Sequence, residues 1–501
     1  MLFNSIQFLI FFPIVVGLYF VLPYKYRWMM LLAASCIFYA AFIPKYLLIL
    51  FLTIIIDYTA GIYIEKTEGR KKKMWLIMSI VSTCLVLFSF KYFNFFGSNI
   101  QHIANFLHWN YSFKLLHIIL PIGLSFHVFQ SLSYVIEVYR GHQKSEHNFG
   151  IYALYVMFFP QLVAGPIERP QNLLHQFYEK HDFDYKRVVD GLRLMLWGFF
   201  KKIVIADNAA IAVNIVFGRP HDFTGMPLIL ATILFAFQIY CDFSGYSDIA
   251  IGSARVMGFR LMKNFDRPYH SKSISEFWKR WHISLSTWFK DYIYIPLGGN
   301  RVATVGIYFN LFVTFLISGF WHGANWTYVI WGALNGVYII FAIITKDFRK
   351  KVVELVGLNK FPRIYKFIQI IITFSLTCFA WIFFRANSIQ DAVYIATHLF
   401  TGVEHYFANV FLPNISKGYD FFSTGSIFGI DMGITYSSFI STVIFIAILE
   451  LVQFIQRYGS IQEMLRSQPV LVRWSIYYAL VVLIIFFSGS GAGSQFIYFQ
   501  F

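Results

Sequence analysis

Charge is scarce in this chain. Only 13% of its 501 residues are Asp, Glu, Lys or Arg, about half the roughly 25% of a soluble globular domain. With 58% hydrophobic residues beside that shortage, an ordinary water-soluble domain is excluded and lipid becomes the expected solvent. Cysteine is scarce too. Cys36, Cys84, Cys241 and Cys378 stand singly in apolar stretches with no C-x-x-C pair. They read as small buried hydrophobes, not as disulfides or metal ligands. Also missing are a G-x-S-x-G elbow, an H-E-x-x-H pair and a G-x-x-x-x-G-K loop. Serine-hydrolase, zinc-protease and ATPase chemistries therefore have no support, and no metal is expected. No internal repeat is present, which weighs against a transporter built from inverted halves.

What is present is apolar sequence from end to end. Crossing the hydrocarbon core takes about 20 mainly apolar residues, and such spans are predicted near 5–22, 28–43, 46–64, 74–96, 114–138, 303–321, 326–345, 365–385, 437–454 and 471–488. Pro160, Pro166, Pro220 and Pro227 cut the stretch 150–258, so two to four short or re-entrant pieces are expected there. The expected fold is all-α: a polytopic membrane protein of about 11–13 membrane helices, with 1–501 forming a single membrane domain. Ser5–Leu22 lacks a basic n-region and an A-x-A cleavage site and reads as a retained first helix.

The net charge of +16 would suggest nucleic acid in a soluble protein. Here the cations collect in short loops, as retention in the cytoplasm requires, and no nucleic-acid partner is expected. The loop 65–73 holds Lys66, Arg70, Lys71, Lys72 and Lys73, and 346–366 holds seven Lys or Arg; 97–113 has none and 386–436 only Lys417. This asymmetry predicts both termini and 386–436 outside, with 65–73, 258–301 and 346–366 inside.

Three segments carry ionisable residues suited to chemistry. In 258–301, Ser273-Ile-Ser-Glu276 is a capping box and opens a predicted helix near 274–292. One face carries Ile274, Phe277, Trp278, Trp281, Leu285, Trp288, Phe289 and Tyr292 and the other Lys279, Arg280, Ser284, Thr287, Lys290 and Asp291. Such a helix is expected along the cytoplasmic membrane interface. His282 falls at the border of the apolar face, roughly 80° from its centre, and reads either as a catalytic group or as a packed interfacial histidine. His322, in Gly319-Phe-Trp-His-Gly-Ala-Asn-Trp326, is an ionisable group at membrane depth, hence a functional candidate; a histidine in an aromatic belt is the alternative. Gly319 and Gly323 would leave room for a substrate beside it. Asp242 and Asp248 interrupt an apolar run, and pairing with Arg255, Lys201 or Lys202 is favoured over catalysis. His117 and His127 read as core histidines bonded to backbone.

Read together, Leu120-Pro-Ile-Gly-Leu-Ser125, Ser133-Tyr-Val-Ile-Glu-Val-Tyr-Arg140, Phe159-Pro-Gln-Leu-Val-Ala-Gly-Pro166, Asp242-Phe-Ser-Gly-Tyr-Ser-Asp248, Ser275-Glu-Phe-Trp-Lys-Arg-Trp-His-Ile-Ser-Leu-Ser286, Leu297-Gly-Gly-Asn-Arg301, Trp321-His-Gly323 and the terminal Phe496-Ile-Tyr-Phe resemble the alginate O-acetyltransferase branch of the membrane-bound O-acyltransferase family. The resemblance covers most of the chain; 386–470 matches least. It implies that His322 and His282 are active-site residues and that a cytoplasmic thioester, acetyl-CoA, is the donor, with no tightly bound cofactor. It also implies a multi-pass protein of the bacterial inner membrane that serves O-acetylation of an exported polysaccharide, with an extracytoplasmic relay protein as partner. Lys279 and Arg280 are candidate contacts for donor phosphates. The competing readings are D-alanyl or other acyl transfer to teichoic acid or peptidoglycan, and a polysaccharide or lipid transporter without chemistry. If both histidines serve one reaction, a straight helix would hold them roughly 30 Å apart. A cavity through the membrane beside His322 is therefore expected.

Overall fold

In lipid every backbone N–H and C=O must find its partner within the chain, which favours helices. In the computed structural model, which describes residues 1–109, 111, 113–116, 121–406, 432, 434–488, 496 and 497, every regular element among the described residues is helical. His117, Leu120, Lys417 and most of 386–436 lie outside the described residues. Among the described residues eight helices are long and apolar enough to cross a membrane, and a ninth, Ile6–Val21, is apolar but shorter. The chain is a polytopic membrane protein. Packing divides it into two compact units, Met1–Met195 with Tyr246–Lys263, and Leu196–Gly245 with Asn264–Phe501.

The first unit contains α1 (Ile6–Val21), α2 (Tyr24–Ala40), α3 (Tyr46–Lys66), α4 (Gly69–Phe106), α5 (Leu124–Arg140) and α6 (Phe149–Met157). Side-chain caps start α1 and α6: Ser5 Oγ accepts from the Phe8 N–H at 3.3 Å and Asn148 Oδ1 from the Gly150 N–H at 3.0 Å, meeting orphan donors of the first turn. The buried stripe of α3 is Leu50, Thr53, Ile54, Asp57, Ala60, Gly61 and Ile64, a helical repeat of three and four. Gly61 is required there, because a Cβ would stand 2.6 Å from the Tyr134 ring. Asp57 is fully buried, and its carboxylate accepts hydrogen bonds from Ser79 Oγ (2.5 Å), Thr83 Oγ1 (3.1 Å) and Ser131 Oγ. Three hydroxyls thus replace water around this carboxylate.

The expected interruption of 150–258 is half right. Residues 158–184 are turns and short helical pieces, whereas α7 (Met226–Met257) runs unbroken for 32 residues. Pro227 lies in its first turn, where the missing N–H has no helical acceptor to lose.

The second unit also holds α8 (Ile274–Arg280), α9 (Ile283–Phe289), α10 (Thr304–His322), α11 (Trp326–Ile344), α12 (Lys346–Leu355), α13 (Pro362–Arg385), α14 (Tyr436–Ile455) and α15 (Val470–Phe487). No residue of α15 is buried although all but a few are apolar, as suits a helix solvated by lipid tails.

Candidate active site

The single helix expected over 274–292 is two helices. Ser273 caps α8 as the capping box predicted, accepting the Glu276 N–H at 3.1 Å, while Glu276 reaches back to the Lys272 N–H at 2.9 Å. The helix then stops at Trp281, whose backbone is extended, and His282 adopts the left-handed conformation with φ 44° and ψ 55°. Asn264 covers the restart: its carbonyl accepts from the Ile283 N–H at 2.9 Å and its side-chain oxygen from the Ser284 hydroxyl at 2.9 Å. The break has a packing cause. On one straight helix Trp281 and His282 would point about 100° apart, whereas the kink buries both, His282 to 0% exposure. The apolar face predicted for the membrane interface is therefore turned into protein. The His282 ring stands edge-on to Phe243 at 4.5 Å.

His322 ends α10. Its Nδ1 lies 2.7 Å from the Ser318 carbonyl oxygen. A carbonyl only accepts, so Nδ1 carries the proton and the neutral ring bears its basic lone pair on Nε2. Trp331, Trp321 and Phe384 surround the ring at centroid distances of 4.8, 4.9 and 5.5 Å. Trp331 stacks on Trp381 (5.7 Å, 16°), and Trp381 meets Trp281 at 5.1 Å, so one aromatic core carries both histidines. The separation of roughly 30 Å expected of a straight helix does not arise, because the 281–282 break folds His282 inward. Burial first, and then the neighbouring His322, hold the His282 imidazole well below its usual pKa, so His282 is neutral.

One expectation about His322 is corrected. The room at Gly319 is filled by the neighbouring helix: Cβ atoms added at Gly319 and Gly332 would lie 2.3 Å from the Tyr328 carbonyl and 2.4 Å from the Phe315 carbonyl. Small residues here let α10 and α11 touch backbone to backbone. Gly323 likewise accommodates the Tyr328 ring. His322 is 4% exposed, its ring packed among these aromatic neighbours.

Lys202 Nζ sits 2.6 Å from Asp242 Oδ1 and 2.8 Å from Asp207 Oδ1, and Lys201 Nζ donates to Ser244 Oγ at 2.9 Å. For Asp242 this is the structural pairing favoured from sequence. Asp242 Oδ2 also accepts the Ile497 N–H at 2.7 Å. Arg280 is tied to Glu276 at 2.6 Å, while Lys279 is exposed. In the first unit His127 is a core histidine, bonded to Thr53 Oγ1 at 2.6 Å and not to backbone. Sequence reading missed Asp57 and the pair Trp278 Nε1–H to Asn335 Oδ1 (3.1 Å); each is a polar residue inside an apolar run, the signal that singled out Asp242.

The two histidines thus lie in one aromatic core of a polytopic helical protein. The sequence model of the membrane-bound O-acyltransferase family matches residues 142–385, a stretch that contains both histidines, and the chain belongs to that family. It is an O-acyltransferase. It is 41% identical over 396 residues to a probable alginate O-acetylase of Pseudomonas aeruginosa, covering 78% of this chain and 73% of the relative. A peptidoglycan O-acetyltransferase of Helicobacter pylori is 36% identical, with 72% of each chain covered. A teichoic acid D-alanyltransferase of Bacillus subtilis is 28% identical over 53% of this chain and 69% of its own.

Proposed function

We propose that this enzyme takes an acetyl group from a cytoplasmic thioester, acetyl-CoA, for O-acetylation of an exported polysaccharide of the alginate class. It would act from the bacterial inner membrane as one catalytic domain and work with an extracytoplasmic partner. The observation that carries the mechanism is the Nδ1–H bond of His322 to the Ser318 carbonyl, which fixes the ring and leaves Nε2 as the base. In the reaction the acceptor hydroxyl gives its proton to Nε2, its oxygen attacks the thioester carbonyl, and the C–S bond breaks with the thiolate leaving. A thioester is already activated, so no covalent enzyme intermediate is required. His282, neutral and in the same core, supports the donor side, where Lys279 and Arg280 contact donor phosphates. Entry of substrate requires Trp331 and Phe384 to part from His322. D-alanyl transfer is the second reading, and the lower identity to the D-alanyltransferases disfavours it. The test supplies proteoliposomes containing the purified protein with radiolabelled acetyl-CoA or a D-alanyl thioester. Transfer from acetyl-CoA alone, absent in His322→Ala at equal protein, is expected; transfer from the D-alanyl donor alone would reverse the assignment.

A further inference from the structure

The helix expected to lie along the cytoplasmic interface, 274–292, is buried, yet the second unit does carry an amphipathic helix with an uncovered apolar face. It is α12, Lys346–Leu355, none of whose residues is buried. At about 100° per residue, Phe348, Val352, Leu355 and the following Val356 fall within one arc, and all four are exposed, Leu355 to 87%. Lys346, Asp347, Lys350 and Glu354 fall on the opposite arc, while Arg349 and Lys351 flank the borders. Arg349 folds back onto the end of α11, donating to the Ala342 carbonyl at 2.5 Å, and Lys350 stands 3.9 Å from the exposed Glu354 carboxylate, a loose surface pair that leaves its ammonium, with those of Lys346 and Lys351, at the surface.

We propose that α12 lies in the membrane surface and binds the headgroups of anionic phospholipids, with Phe348, Val352, Leu355 and Val356 set between the acyl chains. Three observations fix this occupant. First, α12 begins directly after α11 and is followed by α13, both long enough to cross a membrane, so their connection lies at the membrane boundary. Second, the apolar arc is uncovered by protein, with Phe348, Val352, Leu355 and Val356 all exposed. Third, 346–366 carries seven Lys or Arg against two acidic residues, a charge complementary to anionic lipid and of the sign retained on the cytoplasmic side. Lysines at the borders of an inserted face can extend their stems along it and keep their ammonium groups at the phosphates.

The test uses the full-length protein with its four cysteines replaced and one of F348C, L355C or D347C added. Each variant is labelled with an environment-sensitive fluorophore and reconstituted into vesicles of phosphatidylcholine with one-third phosphatidylglycerol. Labels at 348 and 355 should be quenched by brominated acyl chains and be roughly threefold less open to iodide than the label at 347. Omitting phosphatidylglycerol, or adding K350E with K351E, should bring all three labels toward equal iodide access. Equal iodide access in the anionic vesicles would overturn the proposal. So would shielding at 348 and 355 without quenching by brominated chains, which would assign the face to another protein.

Discussion

At the end of α10 a hydrogen bond fixes a histidine ring, and between α8 and α9 backbone conformation does so. His322 keeps ordinary helical geometry, and Ser318 one turn earlier orients its imidazole. His282 is aimed instead by a left-handed backbone between two short helices braced by Asn264. Both rings share one aromatic core, and His322 has the arrangement of an oriented base, with Nδ1–H held by Ser318. A side chain aimed by strained backbone is a placed wall or contact as readily as a reactive group. The difference ranks the two: His322 should carry the chemistry and His282 should shape the site.

The largest effect should separate them directly. His322→Ala removes the base and should lower acetyl transfer by about 10²–10⁴-fold, with insertion and thermal stability close to wild type. His282→Ala should cost less activity and more stability. Acetyl content of the polymer and thermal unfolding in detergent, measured on both variants at equal protein, decide it. Near wild-type acetylation by His322→Ala would remove the assignment.

A smaller effect should fall on the His322 side alone. Gly332→Val places a side chain against the Phe315 carbonyl, where even a Cβ would stand at 2.4 Å. Forcing α10 and α11 apart should destabilise by about 1–3 kcal/mol and misplace Trp331 against His322. Unfolding temperature and transfer rate should drop together; a rate unchanged beside a lowered unfolding temperature would show that the hairpin does not position the base.

The sequence made the helical class, most of the spans and the Asp242–Lys202 pairing legible, because each follows from composition or from the cost of charge in lipid. It did not make legible which amphipathic face would be covered. The 274–292 pattern and the 346–355 pattern both alternate apolar and basic arcs. The first is buried by Trp331, Trp381 and Tyr269, residues outside that window, and the second by none. Periodicity reports that a face needs cover and is silent on whether protein or lipid supplies it. The break at His282 was hidden for a related reason: the acceptors that permit it come from Asn264, outside the helical window.

Titration should distinguish the histidines by a further step. The pKa of His282 is depressed in the folded protein, by burial and then by His322. Its neutral form is therefore favoured by folding, and the stability involved is present above the unfolded value and lost as pH falls below it. With an unfolded pKa near 6.5, the loss between pH 7.5 and 5.5 is about 1.4 kcal/mol. Unfolding of wild type should weaken by this amount over that window relative to His282→Gln, which has no proton to gain. Parallel pH profiles for the two proteins would show that His282 does not titrate out of the folded state.

The smallest effect concerns backbone alone. A left-handed conformation costs a non-glycine residue about 1–2 kcal/mol, and glycine adopts it without that penalty. His282→Gly and His282→Ala both delete the ring and its contact with Phe243, and both leave the same cavity to first order. They differ in the cost of φ 44° and in the greater freedom of glycine in the unfolded chain, about 0.4–1 kcal/mol in the opposite direction. Glycine should therefore be the more stable of the two by a fraction of a kcal/mol to about 1 kcal/mol, while transfer activity is equally reduced in both. Because the ring is absent from each, a difference in stability isolates the strain that aims it. Should alanine be as stable as glycine, the turn would be relaxed in solution, and the contrast with the hydrogen-bonded His322 would rest on the ring contacts alone.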